Sequence, residues 1–199
     1  MKTIKIWGDR PSDKQLTEIA GHLERGGLLI IPTDSVYAIV CDSLNSKAID
    51  RLCSLKGIDP DKNTLSIICS DISMASEYAN IDDASFRLIK DNTPAPVTYI
   101  LKAARTLPKA FKSRREVGIR IPDLATPRAI ADCLGHPLMS TTIELDDEDY
   151  IREPELIAER YEDRVEMMVD GGQGDSLLTT VVDARDGFQI IREGKYEFS

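Results

Sequence analysis

Long hydrophobic runs are missing from this sequence, since none of its apolar stretches approaches the ~18 residues that a membrane-spanning helix needs. Its first ten residues, MKTIKIWGDR, also lack the apolar segment of a signal peptide. We therefore expect no membrane association and a cytoplasmic location. Hydrophobic residues make up 42% of the 199, which is enough for the core of a single domain over residues 1–199.

Cysteine and histidine are scarce, with four and two residues, and they form no metal or disulfide pattern. None of the cysteines belongs to a C-x-x-C pair, and most lie in apolar patterns; they are Cys41, Cys53, Cys69 and Cys133. Buried free thiols are therefore expected. Neither histidine has a potential metal ligand at a useful spacing, so no metal site is predicted.

Three common catalytic patterns are absent as well. The sequence contains no G-x-x-x-x-G-K-S/T loop, no G-x-G-x-x-G after a strand and no G-x-S-x-G elbow. Residues 171–174 read GGQG, but they follow a strand without opening a helix, so we interpret them as a turn. The usual P-loop, dinucleotide-fold and serine-hydrolase sites are therefore not predicted.

Positive charge is in short supply: 25 Lys and Arg face 34 Asp and Glu, which gives a formal net charge of −9. Most of the surface should therefore repel nucleic acid. Binding of RNA would need a local basic patch, and the candidate is the cluster Lys109, Lys112, Arg114 and Arg115, for which a solvated loop is the preferred interpretation. The acidic residues 144–149 are also interpreted as a solvated loop, because the pattern of an EF-hand is missing.

What the sequence does contain is a regular mixture of short apolar runs and amphipathic helices. Ser12 and Gln15 form a capping box in front of a helical apolar face. Thr126 before Pro127 predicts the N-cap of a later helix, and Pro154 the start of another. Because strands and helices alternate without a repeat or a linker, we predict the α/β class with a mixed sheet.

The stretch from Gly26 to Asp42 is the centre of this pattern. Two apolar runs, 28–31 and 36–41, are separated by Pro32 and three small polar residues, Thr33, Asp34 and Ser35. Two buried strands joined in this way place the polar corner at the rim of a sheet, where open α/β folds bind ligands. The alternative is a plain turn, since Pro, Asp and Ser are turn-forming residues.

Polar residues also mark the ends of other predicted strands, where hydroxyl groups and cations together could bind an anion such as phosphate. For each of them alone, a cap, a turn or a surface charge is the preferred interpretation. Arg120 is different, because it lies inside the apolar strand VGIRIP. An unpaired guanidinium would be costly there, so Arg120 must meet an anion from the protein or from a ligand.

Seven segments, in order and over roughly residues 26–194, resemble the YrdC-like family, most closely its YciO branch. IPTDSVYAIVCD is similar to P-T-D/E-S/T-x-Y-x-L/I-x-C-D, and Ser54-Leu55-Lys56 to S/L-K-x-R. TPAPVTYIL is similar to P-G-P-x-T-x-I/L-L, VGIRIP to V-G-x-R-x-P and LGHPLMSTT to G-x-P-L-x-A/S-T-S. TTVVD and IIREG resemble the closing segments. The resemblance implies a twisted mixed β-sheet flanked by helices, with a large concave cavity.

The family includes the L-threonylcarbamoyladenylate synthases, which join L-threonine, bicarbonate and ATP, release diphosphate and serve the threonylcarbamoyladenosine modification of tRNA. By resemblance, Lys56 and Arg120 would be catalytic, and Mg²⁺ would accompany ATP. The substrate and nucleotide would contact Thr33, Asp34, Tyr37, Lys62, Thr98, Ser140, Thr142, Thr180 and Arg192. No covalent nucleophile is needed, so catalysis would consist of positioning and charge stabilisation.

Two of the four polar signature positions depart from the family pattern. Ile58 stands where K-x-R has its arginine, and Glu144 stands where S-x-N has its asparagine. A carboxylate at that point would repel a triphosphate. Three interpretations therefore stay open: an enzyme resembling the synthases with weak or altered activity, a module that binds double-stranded RNA or tRNA without synthase activity, and a folded relative without activity.

Overall fold

The computed structural model describes residues 1–59, 63–104, 107, 115–144, 146 and 148–198. Within these ranges the predicted mixed α/β class is confirmed, because one sheet contains both parallel and antiparallel neighbours. Its strands are β1 (Lys2–Lys5), β2 (Leu29–Ile31), β3 (Ala38–Asp42), β4 (Ser66–Ile68), β5 (Ala79–Asn80), β6 (Val97–Ala103), β7 (Glu116–Arg120), β8 (Leu138–Thr142), β9 (Met167–Asp170), β10 (Thr180–Asp183) and β11 (Gln189–Arg192).

Helices connect these strands and flank the sheet. They are α1 (Asp13–Glu24), α2 (Ser46–Lys56), α3 (Ile72–Tyr78), α4 (Asp83–Asp91), α5 (Ala125–Leu134), α6 (Glu148–Arg152) and α7 (Pro154–Tyr161). Among the described residues, no helix has the length and apolar character that crossing a membrane requires.

The strand order across the sheet is β1-β9-β2-β3-β8-β4-β7-β6-β10-β11, with β5 paired to β6. The pairs β4–β7 and β6–β10 are parallel, whereas β8–β4 and β7–β6 are antiparallel. Strands that are far apart in the sequence thus become neighbours in the half of the sheet that runs from β8 to β11.

Apolar clusters cover opposite faces of the sheet. One contains Leu29, Val40 and Ile68 from the strands together with side chains of α1 and α5. The other contains the alternate residues, such as Ile39 and Ile67, together with side chains of α2, α3 and α7. Because side chains alternate between the faces, Ser66 lies on the face of Ile68, beyond the area that α1 and α5 cover.

Local signals account for most of the helix starts. The capping box at Ser12 and Gln15 is confirmed, and α7 begins at Pro154 as predicted. The predicted cap at Thr126 is wrong: α5 begins after Leu124, and Thr126 lies inside the helix. Its buried hydroxyl donates to the carbonyl oxygen of Asp9 at 3.3 Å, so a tertiary contact takes the place of the cap.

Two other predictions on loops and thiols can be compared with the described residues. The acidic stretch is not simply a loop, since α6 begins at Glu148 and Glu144 pairs with Arg160 of α7 and with Arg164, which follows that helix. All four cysteines are free, as expected; three are buried and Cys133 is exposed. Of the basic cluster, residues 109, 112 and 114 lie outside the described residues.

Candidate functional site

A cavity of about 250 Å³ opens on the sheet face that bears Ser66. We call it the sheet-face cavity. It spans β8, β4, β7, β6, β10 and β11, and its lining combines hydroxyl groups, guanidinium groups and apolar side chains. The lining residues are Ile58, Thr64, Leu65, Ser66, Thr98, Ile100, Arg120, Met139, Ser140, Thr141, Thr142, Thr179, Val181 and Arg192.

The sheet register explains why these polar residues meet. Ser66 is the partner of Ser140 on one side and of Gly118 on the other, so the three residues share one face. Thr98 of β6 is the partner of Val181 of β10, so the side chains of these two residues lie on the same face of the sheet. Residues two positions away on each strand, such as Arg120, point in the same direction.

Gly118 lies next to two side chains that line the cavity, those of Ser66 and Thr98, and has no side chain of its own. A Cβ atom at this position would lie 2.5 Å from Ser66 Oγ and 3.2 Å from Thr98 Cγ2. The side chains of Ser66 and Thr98, from the strands on either side of β7, therefore occupy the space beside Gly118. The glycine of the VGIRIP segment thus makes the space in which these groups face the cavity.

Arg120 is almost completely buried and joins the cavity to the polar corner after β2. Its Nη2 atom donates to Asp34 Oδ1 at 3.1 Å, to Ser35 Oγ at 3.1 Å and to Thr33 Oγ1 at 3.3 Å. The second carboxylate oxygen, Asp34 Oδ2, accepts from the backbone N–H of Asp123 at 2.7 Å. The prediction that Arg120 must meet an anion is confirmed, and the anion is Asp34.

The Nε atom of Arg120 is buried and has no hydrogen-bond partner among the described residues. Burial lowers the pKa of this guanidinium, and the charge of Asp34 opposes that shift. A buried N–H without an acceptor is costly, and the cost disappears when an acceptor is supplied. Since Arg120 lines the sheet-face cavity, a ligand oxygen placed there is a suitable acceptor.

Arg192 lies at the opposite rim of the cavity, where it binds only neutral oxygen atoms of the described chain. Its Nη2 atom donates to Thr179 O at 2.8 Å and to Thr179 Oγ1 at 3.2 Å. Thr179 Oγ1 is in turn 2.9 Å from Thr98 Oγ1. Partial burial lowers the pKa of Arg192, and no ion pair with a carboxylate is found among the described residues.

The polar corner itself faces a second cavity of about 750 Å³, which we call the corner cavity. Thr33 and Asp34 lie in its wall, together with the glycine-rich loop 171–174 and Lys195. Lys195 Nζ donates to Asp34 O at 2.7 Å and pairs with Asp175 Oδ2 at 2.7 Å. Thr33 and Asp34 thus separate the two cavities, and their polar side-chain atoms are bound to the protein.

Tyr37, which the family resemblance placed at the threonine-binding end, is completely buried. Its hydroxyl group donates to Gly172 O at 2.7 Å and accepts from the N–H of Gly171 at 3.1 Å. The ring also fills the space in which Gly174 would carry a Cβ atom. Burial raises the pKa of Tyr37 to about 12. Tyr37 therefore holds the glycine-rich loop, and it lines neither cavity.

Lys56 lies at the end of α2 and is not part of the lining of the sheet-face cavity. Burial lowers its pKa, and the nearby charge of Glu144 opposes that shift. Glu144 accepts hydrogen bonds from Arg160 Nε at 3.1 Å and from Arg164 Nη1 at 3.2 Å. The carboxylate that departs from the family pattern is therefore neutralised by two arginines.

The structure brings five of the predicted residues to one cavity: Thr98, Arg120, Ser140, Thr142 and Arg192. Thr180 is not among them, because its hydroxyl group donates to Tyr196 O at 2.6 Å on the other face of β10. Thr179 and Thr141, which also belong to the polar strand ends of the sequence, do line the cavity, whereas sequence reasoning missed Thr64 and Ser66. The alternation of side chains along β10 is the signal that separates Thr179 from Thr180. Lys62 lies outside the described residues.

A resident Mg²⁺ site is not suggested by the donors present. No carboxylate lines the described part of the sheet-face cavity, and no group of three His, Cys, Asp or Glu side chains able to hold a metal occurs among the described residues. Mg²⁺ prefers carboxylate, phosphate and water oxygens. It therefore fits this cavity only as a companion of the phosphates of a ligand.

A family model for Sua5/YciO/YrdC proteins, described as "Telomere recombination", matches residues 22–194 of the chain. The chain is 32% identical to the uncharacterized protein YciO of Escherichia coli over 193 residues, which are 95% of this chain and 93% of that protein. It is 33% identical over 194 residues to an uncharacterized protein of Haemophilus influenzae, with the same coverage.

Solved structures give the same picture of the fold. The crystal structure of E. coli YciO superimposes with a TM-score of 0.89 and 31% identity, and the match covers 98% of this chain and 96% of that one. Sua5 of P. abyssi, complexed with L-threonine, gives a TM-score of 0.81 and 21% identity over 97% of this chain and 57% of that one. The twisted mixed sheet with flanking helices, which the resemblance implied, is thus confirmed.

Proposed function

This chain belongs to the Sua5/YciO/YrdC family, and we propose that it is a nucleotide-binding protein of the L-threonylcarbamoyladenylate synthase type. The observation that carries the proposal is that Arg120 and Arg192 line one cavity together with the hydroxyl groups of neighbouring strands. Guanidinium and hydroxyl donors that converge in this way are suited to phosphate and carboxylate oxygens. The L-threonine complex of Sua5 supports a place for the amino acid in the same fold.

In the proposed reaction, the amine of L-threonine combines with bicarbonate and loses water, which gives a carbamate. A carbamate oxygen then bonds to the α-phosphorus of ATP, and diphosphate leaves. Arg120 and Arg192 would stabilise negative charge on the reacting oxyanions, and Thr98, Ser140 and Thr142 would orient them. This is catalysis by positioning and by preorganised donors, without a covalent intermediate on the protein.

The role in catalysis that the family resemblance implied for Arg120 changes with its ion pair. Asp34 already neutralises Arg120, so this residue both fixes the polar corner and offers its buried Nε atom to a ligand. Arg192, which binds only neutral oxygens among the described residues, is the more direct source of unpaired positive charge. Lys56 does not line the described part of the cavity, so it would act on a ligand from the neighbourhood of Glu144.

The test is calorimetric titration of the protein with MgATP, alone and with L-threonine and bicarbonate. We expect ATP to bind, to bind more tightly with L-threonine present, and to yield diphosphate when all three substrates are mixed. Arg192→Gln should weaken binding at least tenfold, since hydrogen bonds to charged groups each contribute about 1.5–3 kcal/mol. Arg87→Gln is the matched control, because Arg87 is exposed on α4.

Absence of ATP binding, or equal affinities in Arg192→Gln and in the unchanged protein, would refute the proposal. Binding of RNA remains a prediction from the family resemblance, and the net charge of −9 opposes it. A titration with double-stranded RNA at two salt concentrations tests it, because phosphate contacts make affinity fall steeply with salt.

A further inference from the structure

Lys195 joins the polar corner to the loop between β9 and β10. Its Nζ atom donates to the carbonyl oxygen of Asp34 at 2.7 Å and pairs with Asp175 Oδ2 at 2.7 Å. Its backbone N–H donates to Leu178 O at 2.8 Å, so the main chain and the side chain of this residue are both bound. Lys195 therefore fixes the segment 192–195 to two other parts of the chain, the corner after β2 and the approach to β10.

The segment 192–195 lies directly against the residues that precede β10. A Cβ atom on Gly194 would lie 2.5 Å from Leu178 O and 2.5 Å from Thr179 O, so the two backbones meet without space for a side chain. Arg192 Nη2 donates to Thr179 O at 2.8 Å in the same contact. The position of Arg192 at the rim of the sheet-face cavity therefore depends on how this segment is held.

The two guanidinium groups of the sheet-face cavity are connected through Lys195. Arg120 binds the carboxylate of Asp34, and the carbonyl oxygen of Asp34 binds Lys195 on the segment that carries Arg192. Burial lowers the pKa of Arg120, the charge of Asp34 opposes that shift, and the charge of Arg192 adds to it. The two guanidinium groups are thus close enough to repel each other, and their separation needs a support. Lys195 itself belongs to the wall of the corner cavity and not to the described lining of the sheet-face cavity.

We infer that Lys195 is a positioning residue, which holds Arg192 at a fixed separation from Arg120 so that both guanidinium groups meet the same ligand. The inference rests on the proposed function, because it concerns how the donors of that site are presented. A partly exposed ion pair such as Lys195–Asp175 adds little to stability. Displacement of a binding group by about 1 Å, in contrast, is enough to impair function. The contribution of Lys195 should therefore appear in ligand binding and much less in unfolding.

The first measurement is the affinity for MgATP. Lys195→Met keeps the aliphatic stem and removes the ammonium group, and we expect it to weaken binding about fivefold to tenfold while the midpoint of urea unfolding stays nearly the same. Lys195→Arg can still donate to both acceptors and should restore most of the affinity. Lys90→Met removes an equal charge from an exposed position on α4 and should bind as tightly as the unchanged protein. Equal weakening in Lys90→Met and Lys195→Met would show an effect of net charge alone and would overturn the inference.

A double variant tests whether Lys195 acts through Arg192. In the Arg192→Gln background, Lys195→Met should add little further loss of affinity, because the group that Lys195 positions is already absent. An undiminished further loss would mean that Lys195 acts on the ligand directly or through net charge, and the inference would be wrong.

A measurement without ligand separates the inference from the proposed function. Phenylglyoxal modifies arginine side chains, and mass spectrometry gives the rate of modification at Arg192. We expect this rate to rise severalfold in Lys195→Met, because the released segment lets Arg192 turn toward solvent, and to stay unchanged in Lys195→Arg and Lys90→Met. If MgATP does not bind to the unchanged protein, the proposed function is refuted and the reactivity of Arg192 alone decides the inference. If MgATP binds equally well to Lys195→Met, or if Arg192 reacts there at the unchanged rate, the inference is overturned and nucleotide binding stands.

Discussion

Arg120 Nη2 lies 3.1 Å from Asp34 Oδ1, and both side chains are about 5% exposed. This pair connects β7, in the half of the sheet that carries the cavity, to the corner that follows β2. The remaining oxygen of Asp34 is bound to the backbone of residue 123. The polar corner and the lining of the sheet-face cavity are therefore joined by a buried ion pair.

The first prediction concerns the stability that this ion pair controls. Arg120→Met should lower the free energy of unfolding by about 3–5 kcal/mol, because it leaves the carboxylate of Asp34 buried without its cation. The double variant Arg120→Met with Asp34→Asn should lose clearly less than the sum of the single changes. Urea unfolding of the unchanged protein, the two single variants and the double variant measures this coupling. Additive losses of stability would contradict it.

Much of the fold could be predicted from the sequence because the signals are local. The capping box at Ser12, the proline that begins α7 and the short apolar runs each specify an element with its neighbours in the chain. Thr126 shows the limit of such signals. Its hydroxyl group binds Asp9, more than a hundred residues away, and no local pattern contains that partner.

The site was less predictable, because it depends on which face each strand presents. Thr179, which directly precedes β10, and Thr180, which begins it, look alike in the sequence. Only the sheet register shows that Thr179 faces the cavity. Arg120 was identified because a charge inside an apolar strand needs a partner. Its partner Asp34 could not be derived, since the pairing depends on how two distant segments pack.

The second prediction compares Thr179, which lines the cavity, with Thr180, whose hydroxyl group lies on the other face of the sheet. Thr179→Val should weaken ligand binding about fivefold to tenfold, since it removes a hydroxyl group that joins Arg192 to Thr98. Thr180→Val should instead lower stability by about 1–3 kcal/mol, because its hydroxyl group both donates to and accepts from the backbone of Tyr196. Affinity and urea unfolding are measured for both. Exchange of the two effects would show that the assignment of faces is wrong.

The third prediction concerns Gly118, which lies next to the cavity-lining side chains of Ser66 and Thr98. Gly118→Ala should weaken ligand binding and lower stability by about 1–3 kcal/mol, because the new methyl group would lie 2.5 Å from Ser66 Oγ. The double variant Gly118→Ala with Ser66→Ala removes that contact and should recover part of the stability. Calorimetric affinity and thermal unfolding test this. No recovery in the double variant would mean that Thr98 or the backbone is the limiting contact.

The fourth prediction is a dependence of stability on pH that arises from Tyr37. Its pKa in the folded protein is raised by burial to about 12, above the ordinary value of 10.0. The unfolded chain therefore loses this proton first, so the stability contributed by neutral Tyr37 is complete below pH 10 and is lost as the pH rises toward 12. Tyr37→Phe should show a shallower decline over that range than the unchanged protein, as measured by urea unfolding. Parallel declines would exclude Tyr37 as the source.

The fifth prediction concerns Glu144, which pairs with Arg160 and Arg164 beside the half-buried Lys56. Glu144→Gln should raise the affinity for ATP severalfold and make it more dependent on salt, because Arg164 would lose its carboxylate partner while Arg160 keeps its ion pair with Asp146. The pKa of Lys56, which burial lowers, should fall further, since the charge of Glu144 opposes that shift. Glu159→Gln removes an exposed carboxylate from α7, the helix that contains Arg160, and is the matched control. If both variants change ATP affinity equally, the effect is one of net charge and Glu144 has no special position.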